Sequence, residues 1–147
     1  MSRKRISSKP SASSSESQPD RPLLFIDRDA WSLVLDRALT DANIPHIAHR
    51  TRFASDSPDT DWIAAASAEG WIAITRDQAI RRKPNEIAAI RASRDIIFVF
   101  TSGNLSAADT ADILLRALPA IYRTAARATR PALFSIHRDA TIGILKL

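Results

Sequence analysis

Four short apolar runs punctuate the chain: LLFID at 23–27, IPHIAH at 44–49, WIAIT at 71–75 and DIIFVF at 95–100. Between them lie longer stretches in which apolar residues return every three or four positions, as they do on the buried side of a helix. Trp31, Val34, Leu35 and Leu39 trace the first such face, with Asp29 as its predicted cap and an end near Asn43. Pro58 and Asp59 open a second helix, DTDWIAAASAEG, which Gly70 suits as a C-terminal cap. Pro84 begins a third, where the missing N–H costs nothing, and Ser106 with Asp109 resembles the capping box of a long fourth, kinked at Pro119. The stretch TRFASDSPDT is predicted as a loop, and LFSIHRDATIGILKL as a hairpin turning at Arg138–Ala140.

Strand and helix in strict alternation define an α/β protein: a three-layer α/β/α sandwich around a mainly parallel central sheet. The uninterrupted apolar character of the runs places those strands under cover on both faces. Residues 21–147 make one domain. The segment 1–20, MSRKRISSKPSASSSESQPD, has too little to bury and is expected to be a disordered, basic, Ser-rich tail.

Composition narrows the chemistry. With 147 residues, 45 % of them hydrophobic, the chain can build a core unaided; with no cysteine it has neither disulfides nor thiolate nucleophiles. No run approaches a membrane span and the start lacks a signal-peptide apolar region, so a cytoplasmic protein without a membrane partner is expected. The formal charge of +5 favours meeting a polyanion such as RNA, although solubility accounts for it equally well. Three glycines leave no phosphate loop and no dinucleotide fingerprint.

The informative residues are acids. Asp27 closes the first strand, Asp77 follows the third, and Asp59 with Asp61 begins the helix between them. In a parallel sheet these places share one edge, the edge where open α/β sheets bind ligands. Crowded carboxylates call for a cation, and hard oxygen ligands select Mg2+ or Mn2+, which activates water and stabilises charge in phosphoryl transfer. Singly, each acid serves equally as a helix cap or dipole partner. Arg28, Arg76, Arg81, Arg82 and Lys83 stand beside the acids and suit substrate phosphates, or else form a solvated turn. Trp31, Trp62 and Trp71 are expected in the core. His46 and His49, three apart on a strand, fall on opposite faces and make no metal pair.

FIDR at 25–28, SPDTDW at 57–62, GWIAITRDQAIRRKPNE at 70–86 and TSGNLS at 101–106 together resemble a PIN-like domain of the VapC toxin type, over about Leu23 to Leu147. The resemblance implies a metal-dependent endoribonuclease using Mg2+ or Mn2+, the toxin of a toxin-antitoxin pair, with RNA and a cognate antitoxin as partners and room for a homodimer. It assigns Asp27, Asp59 and Asp77 as metal-binding and catalytic acids, with Asp61 sharing the duty of Asp59. The usual fourth acid is absent: Asn104 stands in its place, and Glu86 is the substitute candidate. Two other classes stay open. One is a weakened PIN-like module that only binds RNA or protein. The other is a phosphatase- or receiver-like domain, for which Asp27 and Asp29 satisfy D-x-D but the Lys and Ser/Thr companions are missing.

Overall fold

The computed structural model describes residues 21–147, so the Ser-rich segment 1–20 lies outside the described residues. Six strands form one sheet: β1 (Leu24–Ile26), β2 (His46–Ala48), β3 (Ile72–Thr75), β4 (Ile96–Phe100), β5 (Ala132–Ile136) and β6 (Ile142–Leu145). Their spatial order is β2-β1-β3-β4-β5-β6, parallel throughout except for β6, which returns antiparallel to β5 as the second arm of the expected hairpin. The helices are α1 (Leu33–Asp41), α2 (His49–Arg52), α3 (Asp59–Glu69), α4 (Pro84–Arg91) and α5 (Ala107–Arg127), with a 3-10 turn at Gln78–Arg81.

Alternation along each strand divides the core into two apolar layers. Leu24, Ile26, Ile72, Ile74, Ile96 and Phe98 face α1 and α5. Phe25, Ala73, Ile97 and Val99 face the other way, onto Trp62, Ile63 and Ala66 of α3 and Ile90 of α4. β1, β3 and β4 are buried at every position, which is why they read as unbroken apolar runs. A cut such as Leu24→Ala in this close-packed middle layer would cost about 2–5 kcal/mol. The three-layer sandwich expected from the sequence is therefore the observed fold.

Several local expectations change. Asp29 does not cap α1; Ser32 does, its Oγ accepting from the Leu35 N–H at 3.0 Å, which frees Asp29 for other contacts. The stretch after β2 begins as a short helix, α2, rather than as loop. Trp62 and Trp71 are in the core, but Trp31 is only half-buried, with the Arg50 guanidinium 3.8 Å from its ring centroid. Gly70 takes the left-handed conformation, φ 75°, that ends α3, and the Ser106–Asp109 capping box is complete. α5 continues through Pro119 to Arg127.

The order β2-β1-β3 has a functional consequence. From β1 the chain steps outward to β2, then returns to the far side of β1 to lay down β3 and the rest. The connections above the carboxyl ends of β1 and β3 thus leave in opposite directions and open a crevice, the switch point at which doubly wound sheets place their ligands.

Candidate active site

Asp27 is the first residue beyond β1, and its backbone is pinned on both sides. Its N–H donates to Ile74 O at 2.9 Å, continuing the β1–β3 ladder, and its carbonyl accepts from the Ala30 and Trp31 N–H groups at 3.0 Å. The side chain is 2 % exposed. Oδ1 accepts from the Arg28 N–H at 2.8 Å and Oδ2 from Thr75 Oγ1 at 2.8 Å.

Thr75, buried at the end of β3, is the hub of the site. Its hydroxyl accepts from the Asp77 N–H at 3.0 Å and stands 2.8 Å from Asp27 Oδ2 and 3.2 Å from Asp29 Oδ1. A hydroxyl has one proton to give. Two carboxylates crowd this one donor: the 2.8 Å contact to Asp27 Oδ2 has ordinary hydrogen-bond length, and the 3.2 Å contact to Asp29 Oδ1 is longer than an ordinary O–H···O bond. The electrostatics agree: burial, joined by the charge of Asp29 and more weakly that of Asp59, pushes Asp27 up to about 7 against the hydrogen bonds from Thr75 and Arg28. Asp29 is raised as well, chiefly by burial of its carboxyl in the crevice, although the residue as a whole is the more open of the two. The hydrogen bond from the Arg76 N–H at 3.0 Å opposes that rise.

Asp77 lies across the crevice on the same hub, its Oδ1 accepting from the Ala79 N–H at 3.0 Å to start the 3-10 turn. Lys83 reaches back to Asp77 Oδ2 at 3.6 Å, so this member of the basic run is engaged with a candidate acid. Arg81 and Arg82 are exposed just beyond, and Arg76 is half-buried with its backbone held by Asp29.

Asp59, on the first turn of α3, is 7 % exposed and acts as no cap for its own helix. Its Oδ1 accepts from Trp62 Nε1 at 3.2 Å and from Arg28 Nη2 at 2.9 Å. Arg28 is the second hub: Nη1 also donates to the Ser55 carbonyl at 3.2 Å, the Ser57 carbonyl at 3.0 Å and His49 Nε2 at 3.1 Å. A guanidinium only donates, so the contact to His49 is a hydrogen bond in the tautomer that leaves Nε2 as the lone pair. Burial, and then the charge of Arg28, lower its pKa accordingly. Arg28 therefore fastens the 53–58 segment, α2 and Asp59 to the turn that carries Asp27.

The structure thus brings Asp27, Asp29, Thr75 and Asp77 into one hydrogen-bonded cluster, with Asp59 joined to it through Arg28. Asp61 is exposed on the outer side of the first turn of α3, Glu86 is half-buried on the first turn of α4, and Asn104 is exposed in the loop after β4 with φ 58°. No hydrogen bond joins these three side chains to the cluster among the described residues. Asp29, which the sequence offers as a cap or as the second acid of D-x-D, joins the cluster, and two further contributors escape the sequence: Thr75, the Thr of T-x-D, and the H-R-T-R run of α2, which follows β2 on the same edge.

For a divalent ion the donor chemistry is suitable: hard carboxylate oxygens, two of them raised in pKa first by burial and then by neighbouring negative charge, at the mouth of a crevice. In the arrangement described, no three acidic or histidine side chains among the described residues converge into a ready metal centre. The Thr75 hydroxyl between Asp27 and Asp29, and the Arg28 guanidinium on Asp59, are what these carboxylates contact instead.

A sheet with this switch point, carrying Asp27 after β1, Asp59 at the head of α3 and T-x-D after β3, defines the class. Residues 22–102 match the family model described as a PIN like domain, and the chain belongs to that family. It is also 28 % identical over 138 residues, 87 % of this chain and 99 % of the relative, to the "Putative ribonuclease VapC45" of Mycobacterium tuberculosis. No solved structure matches it. Among the described residues no helix is long and apolar enough to cross a membrane.

Proposed function

We propose that the protein is a metal-dependent endoribonuclease, the toxin of a toxin-antitoxin pair. The observation that carries this reading is the cluster of Asp27, Asp29 and Asp77 on the Thr75 hydroxyl, at the switch point of a PIN-like sheet. The similarity over 87 % of this chain to a protein named "Putative ribonuclease VapC45" supports it.

In this reading Asp27 and Asp77 hold Mg2+ or Mn2+, with Asp29 beside them and Asp59 positioning the attacking water. The ion, when bound, lowers the pKa of water and offsets charge developing on the phosphate. Thr75 keeps Asp27 and Asp77 in register by holding the side chain of one and the backbone of the other. Asp27, with its pKa near neutrality, gives up its proton to become a ligand. Arg81 and Arg82, exposed beyond Asp77, grip flanking phosphates. Asp61, Glu86 and Asn104 stay in the second rank, since no hydrogen bond ties them to the cluster.

The test is purified protein with structured RNA, in EDTA or in Mg2+ or Mn2+, beside Asp27→Asn and Asp77→Asn. Metal-dependent cleavage lost in both variants is expected. Cleavage that survives both substitutions, or that proceeds in EDTA, refutes the acidic site. RNA binding without cleavage under all conditions leaves the binding-module reading. For the partner, co-expression with the protein encoded next to it should relieve toxicity if that neighbour is the antitoxin.

A further inference from the structure

The strand register sets a second group of polar side chains on the edge that carries the acids. Thr75 pairs with Val99, and Val99 with Ser135. Two residues beyond each, at the carboxyl ends of β3, β4 and β5, stand Asp77, Thr101 and His137. The Thr101 N–H donates to the Ile136 carbonyl at 3.2 Å, which carries the β4–β5 ladder to the rim. Gln78 Nε2 donates to the Thr101 carbonyl at 3.1 Å and ties the turn after Asp77 to the same rim. His137 is thus about two strand spacings, roughly 10 Å, from Asp77.

His137 is exposed, yet its ring is held from below. Nε2 is 3.0 Å from the hydroxyl of buried Ser135, and residue 143, opposite Ser135, is a glycine. A Cβ there would stand 2.6 Å from Ser135 Oγ and 2.9 Å from His137 Nε2, so the glycine keeps room for the pair. In the tautomer in which Ser135 donates to Nε2, Nδ1 carries the proton, and it faces Thr101 Oγ1 at 3.5 Å. The contacts of the Thr101 hydroxyl, to this nitrogen and to the Ile136 carbonyl, are both 3.5 Å, well beyond the roughly 2.8 Å of a hydroxyl hydrogen bond, so its proton is uncommitted. Arg138, exposed on the next residue, gives one N–H to the Gly103 carbonyl at 3.4 Å and keeps the rest of its donors. The acid of this turn, Asp139, accepts from the Thr141 hydroxyl and N–H at 2.6 and 3.1 Å.

Two uncommitted donors 3.5 Å apart, with a guanidinium on the adjoining residue, suit the oxygens of one phosphate group. We propose that Thr101, His137 and Arg138 form a phosphate subsite for single-stranded RNA, so that the strand runs from the acids across the tops of β4 and β5. The inference rests on the ribonuclease reading above and adds to it the direction in which the substrate leaves the acids. A stacked strand carries one phosphate per about 3.4 Å, so roughly 10 Å puts this subsite up to about three nucleotides from the cut. Contacts of this kind are to the backbone and set the register of the strand without reading its sequence.

Binding is read apart from cleavage. In EDTA, labelled single-stranded oligouridylate and oligoadenylate are titrated with the full chain by fluorescence anisotropy over a series of salt concentrations. Removing one phosphate contact lowers the slope of log affinity against log salt by about 0.7. Arg138→Gln should show that drop, with an affinity loss of about three- to tenfold that is the same for both strands, and Arg138→Lys, which keeps the charge, should restore the slope. Thr101→Val should weaken binding about three- to tenfold, the worth of one hydrogen bond, with the slope unchanged. Arg123→Gln removes a charge from an exposed position near the end of α5 that leads back to the opposite edge of the sheet, and should alter neither quantity. A wild-type slope in Arg138→Gln, an equal loss in Arg123→Gln, a loss confined to one of the two strands, or no binding by the wild type overturns the subsite. Cleavage by the wild type separates the two readings. Metal-dependent cleavage with a slope that Arg138→Gln leaves unchanged overturns the subsite alone; the slope change in a protein that cuts no RNA supports the subsite and refutes the ribonuclease.

Discussion

Asp27→Asn should make the metal-free protein more stable while removing its activity. Asp27 is buried, and its pKa is pushed from 3.8 to about 7. Between those values the unfolded chain ionises this group and the folded one does not. Folding therefore loses stability as pH rises from about 4 to 7 and stays at the lower level above 7. At about 1.4 kcal/mol per unit, the three-unit rise puts the loss near 4 kcal/mol at alkaline pH, and nearer 1.7 kcal/mol at pH 5. Asparagine is isosteric with the protonated acid. Its amide can donate to Thr75 Oγ1, whose own proton then turns to Asp29 Oδ1, so every contact of the hub keeps a donor and an acceptor. The stability gap between Asp27→Asn and wild type should thus widen by about 2–3 kcal/mol from pH 5 to pH 8.5, measured by urea unfolding in EDTA. In the same protein RNA cleavage should vanish. A gap that does not grow with pH, or an asparagine variant less stable than wild type at pH 8.5, refutes the claim that this carboxyl is held protonated by its surroundings.

A parallel effect without loss of activity is expected at Asp95, 1 % exposed at the opposite edge of the sheet, where both carboxylate oxygens lack a hydrogen-bond partner among the described residues. Burial pushes it up to about 7 against Ser93 and Arg130, so Asp95→Asn should raise the alkaline urea midpoint with cleavage unchanged. Because Asp27 must lose a proton to bind a cation, Mn2+ affinity by calorimetry should rise as pH goes from 6 to 8 and proton release should accompany binding; pH-independent affinity would contradict this. Arg28→Gln removes the donors that hold Asp59 and the Ser55 and Ser57 carbonyls, and should speed amide hydrogen exchange over 53–58 at least tenfold. Thr75→Val deletes the hub and leaves buried polar groups unpaired, at a cost of about 1–3 kcal/mol and most of the cleavage rate.

How much of this was legible in the chain follows from the range of the interactions involved. Strands buried on both faces announce themselves by composition alone, and from their spacing the sheet and the edge holding Asp27, Asp59 and Asp77 could be read directly. Asp29 was misassigned to a cap because a local rule fits it; Ser32, three residues on, fits the same rule and won. Which acid caps and which turns into the crevice depends on Thr75, 46 residues away from Asp29, and no local pattern carries that. The basic residues show the same limit. The sequence offers Arg28 and Lys83 for phosphate, and the fold pairs Arg28 with Asp59 at 2.9 Å and brings Lys83 to 3.6 Å from Asp77. These two pairings bear on mechanism: each places a cation beside an acid that would otherwise repel its neighbours. Under the proposed function, entry of a divalent ion would be an exchange, one metal for the Asp27 proton and for the hold of a guanidinium. Loosening that hold would free the 53–58 segment that Arg28 ties down, beside the crevice to which the proposed function brings RNA.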